Sequence, residues 1–330
     1  MSTRHAPTAA SPPAQHGLAA VAEAWERFWF FPADARPLAL VRIVAAVAAL
    51  ALWWSYAADV QAWFGPQGVL AADTVRQWRS PAGVSLYDVA TSALAVAVLF
   101  HATAVVFLLL LVGLGTTVVA PLAAVLWASL LHRGPMLAGP ADDCLAVLLW
   151  CLAIGPAGWH LSCDRWLCDR AGRPTPPGSF RAAVSRGLLQ SYGSAITVAA
   201  VLAQLKGDAW WDGLAAWYLA ASPQSRCSGL VPLLEGSEYL TNLLTHAITA
   251  FEILFAVGIW FAATQRLVAR IALVAWPLIG LLAGMPVWGV VMAAFALPVA
   301  VGPVNHGQPR IGPADERGSP LPTAAHPSAS

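Results

Sequence analysis

The fold is decided by residues 38–57, LALVRIVAAVAALALWWSYA, in which Arg42 is the only charged side chain. A helix needs roughly 20 apolar residues to cross the hydrocarbon core of a bilayer. Every backbone polar group must be bonded within such a segment, because lipid offers no hydrogen-bond partner. We therefore take residues 38–57 as the first of several membrane spans.

The composition of the whole chain agrees with a membrane protein. Of the 330 residues, 58% are hydrophobic and 11% are charged, whereas a soluble domain carries about 25% charged residues. The mean hydropathy is +0.64. The net charge of +1 provides no basic field of the kind that binds nucleic acid, so we expect a lipid bilayer and no nucleic acid among the partners.

The cysteines show neither a C-x-x-C pair nor the Cys/His spacing of a zinc site. We therefore predict isolated buried thiols and no metal. The residues are Cys144, Cys151, Cys163, Cys168 and Cys227.

About eight stretches meet or approach the length of a membrane span, which predicts an all-α, polytopic helical bundle. They lie at residues 38–57, 88–112, 114–132, 143–160, 187–205, 241–263, 267–283 and 286–303. Only Gly284, Met285 and Pro286 separate the last two, so one re-entrant hairpin is the alternative there. Residues 17–31 combine charges with Trp and Phe, which predicts an amphipathic helix at the membrane interface.

The positions of arginine predict the orientation. Under the eight-helix count, the arginine-rich segment 161–186 lies on the same side as Arg266 and Arg270, and this side is predicted to be cytoplasmic. Both termini are then cytoplasmic, in what we expect to be a bacterial plasma membrane. Segments 58–87 and 206–240 lie on the outer side and are candidates for a folded cap. The predicted domains are a disordered N-terminus at 1–16, a transmembrane domain at 17–303 and a disordered Pro-rich tail at 304–330.

Two of the predicted spans carry polar stripes, which lipid cannot satisfy. The stripe of the sixth span consists of Asn242, Thr245, Thr249 and Glu252, with His246 beside it. The stripe of the fifth span consists of Gln190, Ser194, Thr197 and Gln204. We predict that the two faces line one shared cavity. Glu252 is either functional or a polar contact that holds helices together, and both interpretations stay open.

The segment after the fifth span combines a lysine with tryptophans and acidic residues. Lys206 is followed by Asp208, Trp210, Trp211 and Asp212. This pattern is typical of an aromatic belt at the membrane interface. A partly desolvated amine is also a candidate general base, so the pattern supports a second interpretation in which Lys206 is catalytic.

Ionisable residues at other span ends are further candidates. Arg42 is expected either to reach the interface with its long stem or to pair with a buried carboxylate. His160 and Asp164 are four residues apart. If the fourth helix continues through them, they lie on one face and interact locally.

Adjacent aspartates open the fourth predicted span. Asp142 and Asp143 follow Gly139 and Pro140, where a carboxylate caps a helix N-terminus and faces the positive end of the helix dipole. Two carboxylates exceed what a cap needs. The alternative is a cation or substrate site formed together with His132 and Arg133.

The order of several short motifs resembles the HTTM family, bacterial membrane proteins related to the vitamin K-dependent gamma-carboxylase. The matching segments are RPLALVRI at 36–43, ASLLHRGP at 128–135 with GPADD at 139–143, GPAGWHLSCD at 155–164 and WWDGLAAWY at 210–218. Glu252 fits the acidic residue of the helix after the outer loop. The resemblance covers about residues 20–303. It implies a helical bundle with an outer cap and, in the carboxylase branch, proton abstraction from peptidyl glutamate driven by reduced vitamin K, oxygen and carbon dioxide.

One position departs from the family pattern. The resemblance implies a lysine about six residues before Trp210, near the lysine that the carboxylase uses as its base, and this chain has Gln204 there. An amide cannot act as a base. Carboxylase-type chemistry therefore requires Lys206 to substitute from the neighbouring helical face.

The sequence leaves three classes of function open. The first is binding of a lipid, small molecule or peptide in the polar cavity, with contacts from Gln204, Trp210, Trp211, Asn242 and Thr249. The second is a membrane enzyme that uses a reduced quinone, with Lys206 as base, Glu252 and Asp142 as carboxylate partners and His246 as proton carrier. The third is a transporter that depends on Glu252 or the paired aspartates, although no inverted repeat is visible.

Overall fold

A computed structural model describes residues 13–79 and 83–302. Helix accounts for 74% of the structure, and the described residues contain no β-strand, only an isolated antiparallel bridge between Ala33 and Ser179. The predicted all-α class is confirmed. The predicted disordered tail at 304–330 lies outside the described residues, as does 1–12 of the predicted disordered N-terminus, whereas residues 13–16 belong to a helix.

The helices follow one another with short connections. The first group is α1 (Pro13–Phe30), α2 (Arg36–Ala57), α3 (Val60–Phe64), α4 (Ala72–Trp78), a 3-10 turn (Leu86–Asp88), α5 (Ala93–Val112), α6 (Thr116–Arg133), α7 (Pro140–Ile154) and α8 (Cys163–Arg170). The second group is α9 (Phe180–Gln204), α10 (Asp208–Trp211), α11 (Ala215–Ala221), a 3-10 turn (Ser228–Leu230), α12 (Val231–Glu235), α13 (Glu238–Gly258), α14 (Gln265–Leu282) and α15 (Pro286–Val301).

Of these helices, 5 are long and apolar enough to cross a membrane, namely α2, α5, α6, α13 and α14. α15 is apolar but shorter, and α7 has 15 residues. α9 has 25 residues but includes Arg181 and Arg186. The chain therefore has the helices of a multi-pass membrane protein, and the count of about eight spans stays a prediction.

The long helices run alternately up and down, so the bundle has two ends, which we call the Arg36 end and the Ala57 end after the limits of α2. At the Arg36 end, the beginning of α2 lies beside the end of α5, where Arg42 contacts Leu110. At the Ala57 end, Tyr56 of α2 bonds to Asp142 at the start of α7. α15 is buried along most of its length and packs against α2, α7, α9 and α14, so it forms the centre of the bundle.

Several helix limits differ from the predicted spans because local capping residues decide them. α5 begins at Ala93 rather than at residue 88, since the Ser92 hydroxyl accepts a hydrogen bond from the Ala95 amide at 3.1 Å. α7 ends at Ile154 rather than at residue 160, because Gly155 and a proline follow it. α13 begins at Glu238 and ends at Gly258, compared with the predicted 241–263.

Short helices also occur outside the long helices. Both predicted cap segments, 58–87 and 206–240, contain short helices or 3-10 turns. The predicted interfacial helix corresponds to α1, which packs against α9. Trp29 lies so close to Gly187 that a Cβ atom at this glycine would be 2.9 Å from the indole ring. Trp25 and Phe30 of the same helix are exposed.

The last two helices form a tight antiparallel hairpin. Gly284 adopts φ +74° between them, in the left-handed region that favours glycine. A Cβ atom at Gly280 would lie 2.8 Å from the Cα atom of Gly289, so the two helices contact each other through bare backbone. The structure thus contains two packed antiparallel helices here, and both full crossing and the re-entrant hairpin stay predictions.

Arg42 joins three segments at the Arg36 end. It has no exposed surface, and its guanidinium donates to the carbonyls of Leu110 at 2.8 Å, Leu111 at 3.2 Å and Leu161 at 2.5 Å. The first two carbonyls belong to the last turn of α5. Carbonyl groups at a helix C-terminus have no hydrogen-bond partner within the helix, and they form the negative end of the helix dipole. Both predicted roles of Arg42 are wrong, because backbone carbonyls inside the protein take the place of water and of a carboxylate.

Asp164 fixes the beginning of the next helix at the same place. Its carboxylate accepts hydrogen bonds from the Gly115 amide at 2.7 Å, the Thr116 amide at 2.8 Å and the Thr116 hydroxyl at 2.7 Å. It therefore caps α6. The predicted interaction with His160 is wrong, because α7 ends before both residues. His160 instead lies 3.9 Å from Asp34, and burial lowers the pKa of its imidazole.

The turn between α5 and α6 provides a test of this packing. Gly113 has φ +72° and a Cβ atom there would lie 2.0 Å from Nη1 of Arg42, whereas Gly115 has φ +63° and its nearest neighbour would be 3.7 Å away. Gly115→Ala should cost about 1–2 kcal/mol of stability from backbone strain alone. Gly113→Ala should cost about 1–3 kcal/mol more, because it also displaces Arg42.

The measurement is the apparent Tm of the two variants and the wild type in the same detergent. We expect the Tm of Gly113→Ala to be clearly the lowest of the three. Equal losses in the two variants would show that Arg42 does not constrain the turn.

Candidate functional site

The polar stripes of α9 and α13 meet at the Ala57 end of the bundle. The Gln204 side-chain amide donates to the Glu252 carboxylate, with 2.6 Å between Nε2 and Oε2. The Thr249 hydroxyl donates to the Gln204 oxygen at 3.1 Å. Glu252 is only 3% exposed, whereas Gln204 and Thr249 are half-buried. We call these three residues the amide–carboxyl cluster.

The other polar side chains of the fifth-span stripe form hydrogen bonds within the protein. Gln190 donates to the Ile259 carbonyl at 2.9 Å. The Ser194 hydroxyl donates to the Ala256 carbonyl and accepts from the Trp260 indole at 2.9 Å. Thr197 is buried and bonds to a carbonyl of its own helix. These contacts hold α9 against the end of α13, so the shared polar region reduces to the amide–carboxyl cluster.

Thr245 and Asn242 hold the segment after α9 in place. The Thr245 hydroxyl accepts from the Ala216 amide at 3.0 Å and lies 2.9 Å from the Gly213 carbonyl. Gly213 has φ +72°, and a Cβ atom there would lie 2.0 Å from the Asn242 side-chain oxygen. Only glycine therefore fits at this turn, and Asn242 and Thr245 position the turn rather than join the cluster.

The two candidate proton-transfer residues stand apart from the cluster. Lys206 and His246 are both exposed, and neither side chain makes a hydrogen bond or an ion pair with the rest of the described chain. Trp211 is also exposed, with its indole donating to the Leu205 carbonyl at 3.0 Å, and Trp210 is half-buried. The structure therefore does not bring Lys206 and His246 together with Glu252.

The paired aspartates occupy different environments. Asp142 is 4% exposed and accepts from the Tyr56 hydroxyl at 2.7 Å and the Gly139 amide at 2.9 Å, whereas Asp143 is exposed. The capping role of Asp142 is confirmed.

The alternative site that combines the aspartates with His132 and Arg133 is not formed. His132 bonds to the Val84 carbonyl at 2.8 Å. Arg133 donates to the Gly65 carbonyl at 2.7 Å. Both basic side chains therefore hold the segment between α2 and α5, not the start of α7.

The cysteines are all free thiols. Cys144 and Cys151 are buried, as predicted, and burial within the bundle explains their position. Cys163 is exposed, and Cys168 and Cys227 are intermediate. The prediction of buried thiols is therefore wrong for Cys163, because it lies at the start of α8, outside the bundle core.

Sequence reasoning missed two aromatic partners of the polar residues, Tyr56 and Trp260. Both stand at the end of a long apolar helix, where tyrosine and tryptophan are common for their affinity to the membrane interface. Their position in the sequence therefore indicates an interface but not a partner. The hydrogen bonds of Tyr56 to Asp142 and of Trp260 to Ser194 depend on how distant helices pack.

Comparisons of the chain with protein-family models, curated proteins and solved structures give no match. The resemblance to the HTTM family thus rests on the motifs alone. In the structure, segment 36–43 begins α2, and segment 155–164 contains the Leu161 carbonyl that accepts from Arg42. Segment 210–218 contains the turn at Gly213, which bonds to Thr245. These three motifs lie where separate segments of the chain contact one another.

A double-mutant cycle tests the contact within the cluster. Gln204→Leu should lower stability, because it leaves the Glu252 carboxyl without its partner, at a cost of about 1–3 kcal/mol. Gln204→Leu combined with Glu252→Leu should recover part of this loss. The expected coupling energy is about 1 kcal/mol, as for polar contacts between other membrane helices.

Thr197→Val is the matched control, because Thr197 is a buried polar residue of α9 that bonds to its own helix. Its effect should add to that of Glu252→Leu without coupling. The readout is unfolding of each variant in mixed detergent micelles. A zero coupling energy between Gln204 and Glu252 would contradict the contact.

Proposed function

We propose that this chain is a multi-pass membrane protein of the HTTM group that binds a lipid-soluble ligand at the amide–carboxyl cluster. The observation that carries the proposal is the Glu252 carboxylate, which is 3% exposed within a long apolar helix and has Gln204 as its hydrogen-bond partner. Ionisable residues at such positions are costly and are retained for ion, proton or ligand contacts.

A purely structural role accounts for Glu252 less well. Serine and glutamine already join α9 to α13 through Ser194 and Gln190, and neutral side chains make such contacts without the cost of burying a carboxyl. Glu252 accepts from Gln204 through one oxygen, Oε2. The second oxygen has acceptor capacity for a polar ligand group.

The surroundings of the cluster favour a ligand with an apolar body. Leu202, Leu205 and Ile253 beside it are 56%, 47% and 49% exposed, which in a bilayer places them against lipid. Gln204 and Thr249 keep part of their surface accessible. A molecule with hydrogen-bonding oxygens and an apolar body, such as a reduced quinone or a lipid, matches this combination better than a polar peptide.

The enzyme and transporter alternatives are less well supported by the geometry. A carboxylase-type reaction needs a base at the ligand, and Lys206 is exposed and not bonded to the cluster. A transporter based on the paired aspartates needs both carboxylates at one site, whereas Asp142 is bonded as a helix cap and Asp143 is exposed. We place the protein in a bacterial plasma membrane with both termini cytoplasmic, on the basis of the arginine distribution.

The test is the thermal shift caused by a reduced naphthoquinone in lipid nanodiscs. For the wild type, a ligand at 100 times its Kd adds about 2.7 kcal/mol of stability, which should raise the Tm by several degrees. Glu252→Ala should abolish the shift, because it removes the acceptor. Lys206→Ala should leave the shift unchanged, because the amine does not contact the cluster.

Thr197→Val serves again as the control for a polar change within α9 that spares the cluster, and it should keep the full shift. A folded Glu252→Ala protein that retains the wild-type shift would refute binding at the cluster. Loss of the shift in Lys206→Ala as well would favour the enzyme alternative.

A further inference from the structure

A second cluster of charged groups lies at the Ala57 end, outside the proposed ligand site. Arg79 follows α4 and pairs with Asp88, with 2.6 Å between Nη2 and Oδ2, and Arg76 Nε lies 3.9 Å from the other oxygen of Asp88. Arg133 ends α6. We call Arg76, Arg79, Asp88 and Arg133 the basic cluster.

Hydrogen bonds join the segment that contains Asp88 to the end of α6, which contains Arg133. The Ser85 hydroxyl donates to the Ser129 carbonyl at 2.6 Å, and His132 bonds to the Val84 carbonyl at 2.8 Å. The 3-10 turn that contains Asp88 therefore packs along the last turn of α6. This contact places Arg133 beside the Arg79–Asp88 pair.

The charges of this region do not balance. Among the described residues, two carboxylates lie within 4 Å of the three guanidinium groups. Asp88 pairs with Arg76 and Arg79, and Asp73 lies 3.2 Å from Arg76 and is 84% exposed. The buried members of the cluster have still less compensation. The side chain of Arg79 is 11% exposed and pairs with Asp88. Arg133 is 2% exposed, and within residues 13–79 and 83–302 no carboxylate forms an ion pair with it. Desolvated positive charge of this kind favours a bound anion.

Two buried donors point to the same conclusion. Arg133 uses Nη2 for the Gly65 and Leu70 carbonyls, at 2.7 and 3.1 Å. Nη1 of Arg133 and Nη1 of Arg79 are buried and have no acceptor within residues 13–79 and 83–302. An unused buried guanidinium donor is costly. Its planar geometry is suited to phosphate oxygens.

The surface around the basic cluster is apolar. Trp78, Val84 and Val89 are 59%, 73% and 79% exposed. Tryptophan beside apolar and basic residues is typical of the headgroup layer of a membrane. A ligand here would meet guanidinium groups on one side and apolar side chains on the other.

We propose that the basic cluster is a binding site for a phosphate ester, namely the headgroup of an anionic phospholipid, with Arg76, Arg79 and Arg133 as its partners. A free phosphate ester has the same chemistry and is distinguished by the test. The site is separate from the amide–carboxyl cluster and does not depend on the function proposed for it.

The test measures how strongly the protein retains phosphatidylglycerol over phosphatidylcholine, by native mass spectrometry after extraction from mixed vesicles. Arg76→Gln is the main variant, because Arg76 is half-exposed and its loss leaves the bonded arginines in place. We expect it to reduce the preference about fivefold, the effect of one arginine near a charged lipid surface. Asp88→Asn should increase the preference, because it removes a competing carboxylate.

Arg226→Gln is the control. Arg226 lies in segment 206–240 at the same end of the bundle, outside the basic cluster, and its backbone amide donates to the Leu281 carbonyl. The substitution removes the same charge and should leave the preference unchanged. Addition of glycerol phosphate identifies the source: displacement of the lipid supports a site for a soluble ester, and retention supports a phospholipid site.

The proposal is overturned if the wild type neither prefers phosphatidylglycerol nor binds glycerol phosphate. It is also overturned if Arg76→Gln and Arg226→Gln lose the preference equally, since this would be a general charge effect. A loss of both stability and lipid preference in Asp88→Asn would show that the cluster is only an internal ion pair.

Discussion

The buried guanidinium of Arg42 is the interaction on which the bundle depends. A charge without exposed surface is tolerated only where acceptors are fixed around it, and here they come from the carbonyls of Leu110, Leu111 and Leu161. Leu161 adopts φ 49°, which costs a non-glycine residue about 1–2 kcal/mol. Together with the Asp164 cap on α6, Arg42 therefore fixes α2, α5, α6 and the segment after α7 relative to one another.

This joint is at one end of the bundle, and the amide–carboxyl cluster is at the other. Between them, contacts that satisfy polar side chains hold α9 against the end of α13, such as Gln190 to Ile259 and Ser194 to Ala256. The cluster differs from these contacts because it contains a carboxyl group and has half-buried edges at Gln204 and Thr249. Structural packing therefore explains most polar groups of the two helices, and Glu252 remains as the group suited to a ligand.

The sequence predicts the features that depend on local spacing. Apolar length identifies α2, α5, α6, α13 and α14, and helical periodicity places Thr249 and Glu252 on one face, which meets Gln204 in the structure. The sequence does not predict features that depend on which distant segments pack together. The carbonyl partners of Arg42 and the neighbour of His160 are two such features. A third is the different environment of Asp142 and Asp143, since the Tyr56 hydroxyl bonds to Asp142 alone of the two.

Photolabelling in bilayers tests the central claim most directly. A naphthoquinone with a photoreactive group on its ring would be activated in nanodiscs that contain the wild type or Glu252→Ala, and the modified residues would be mapped by mass spectrometry. We expect adducts to concentrate on the end of α9 and on α13 around Thr249, and to disappear with unlabelled competitor and in Glu252→Ala. Adducts spread over the lipid-facing surfaces of all helices, equally in both proteins, would contradict a ligand site between α9 and α13.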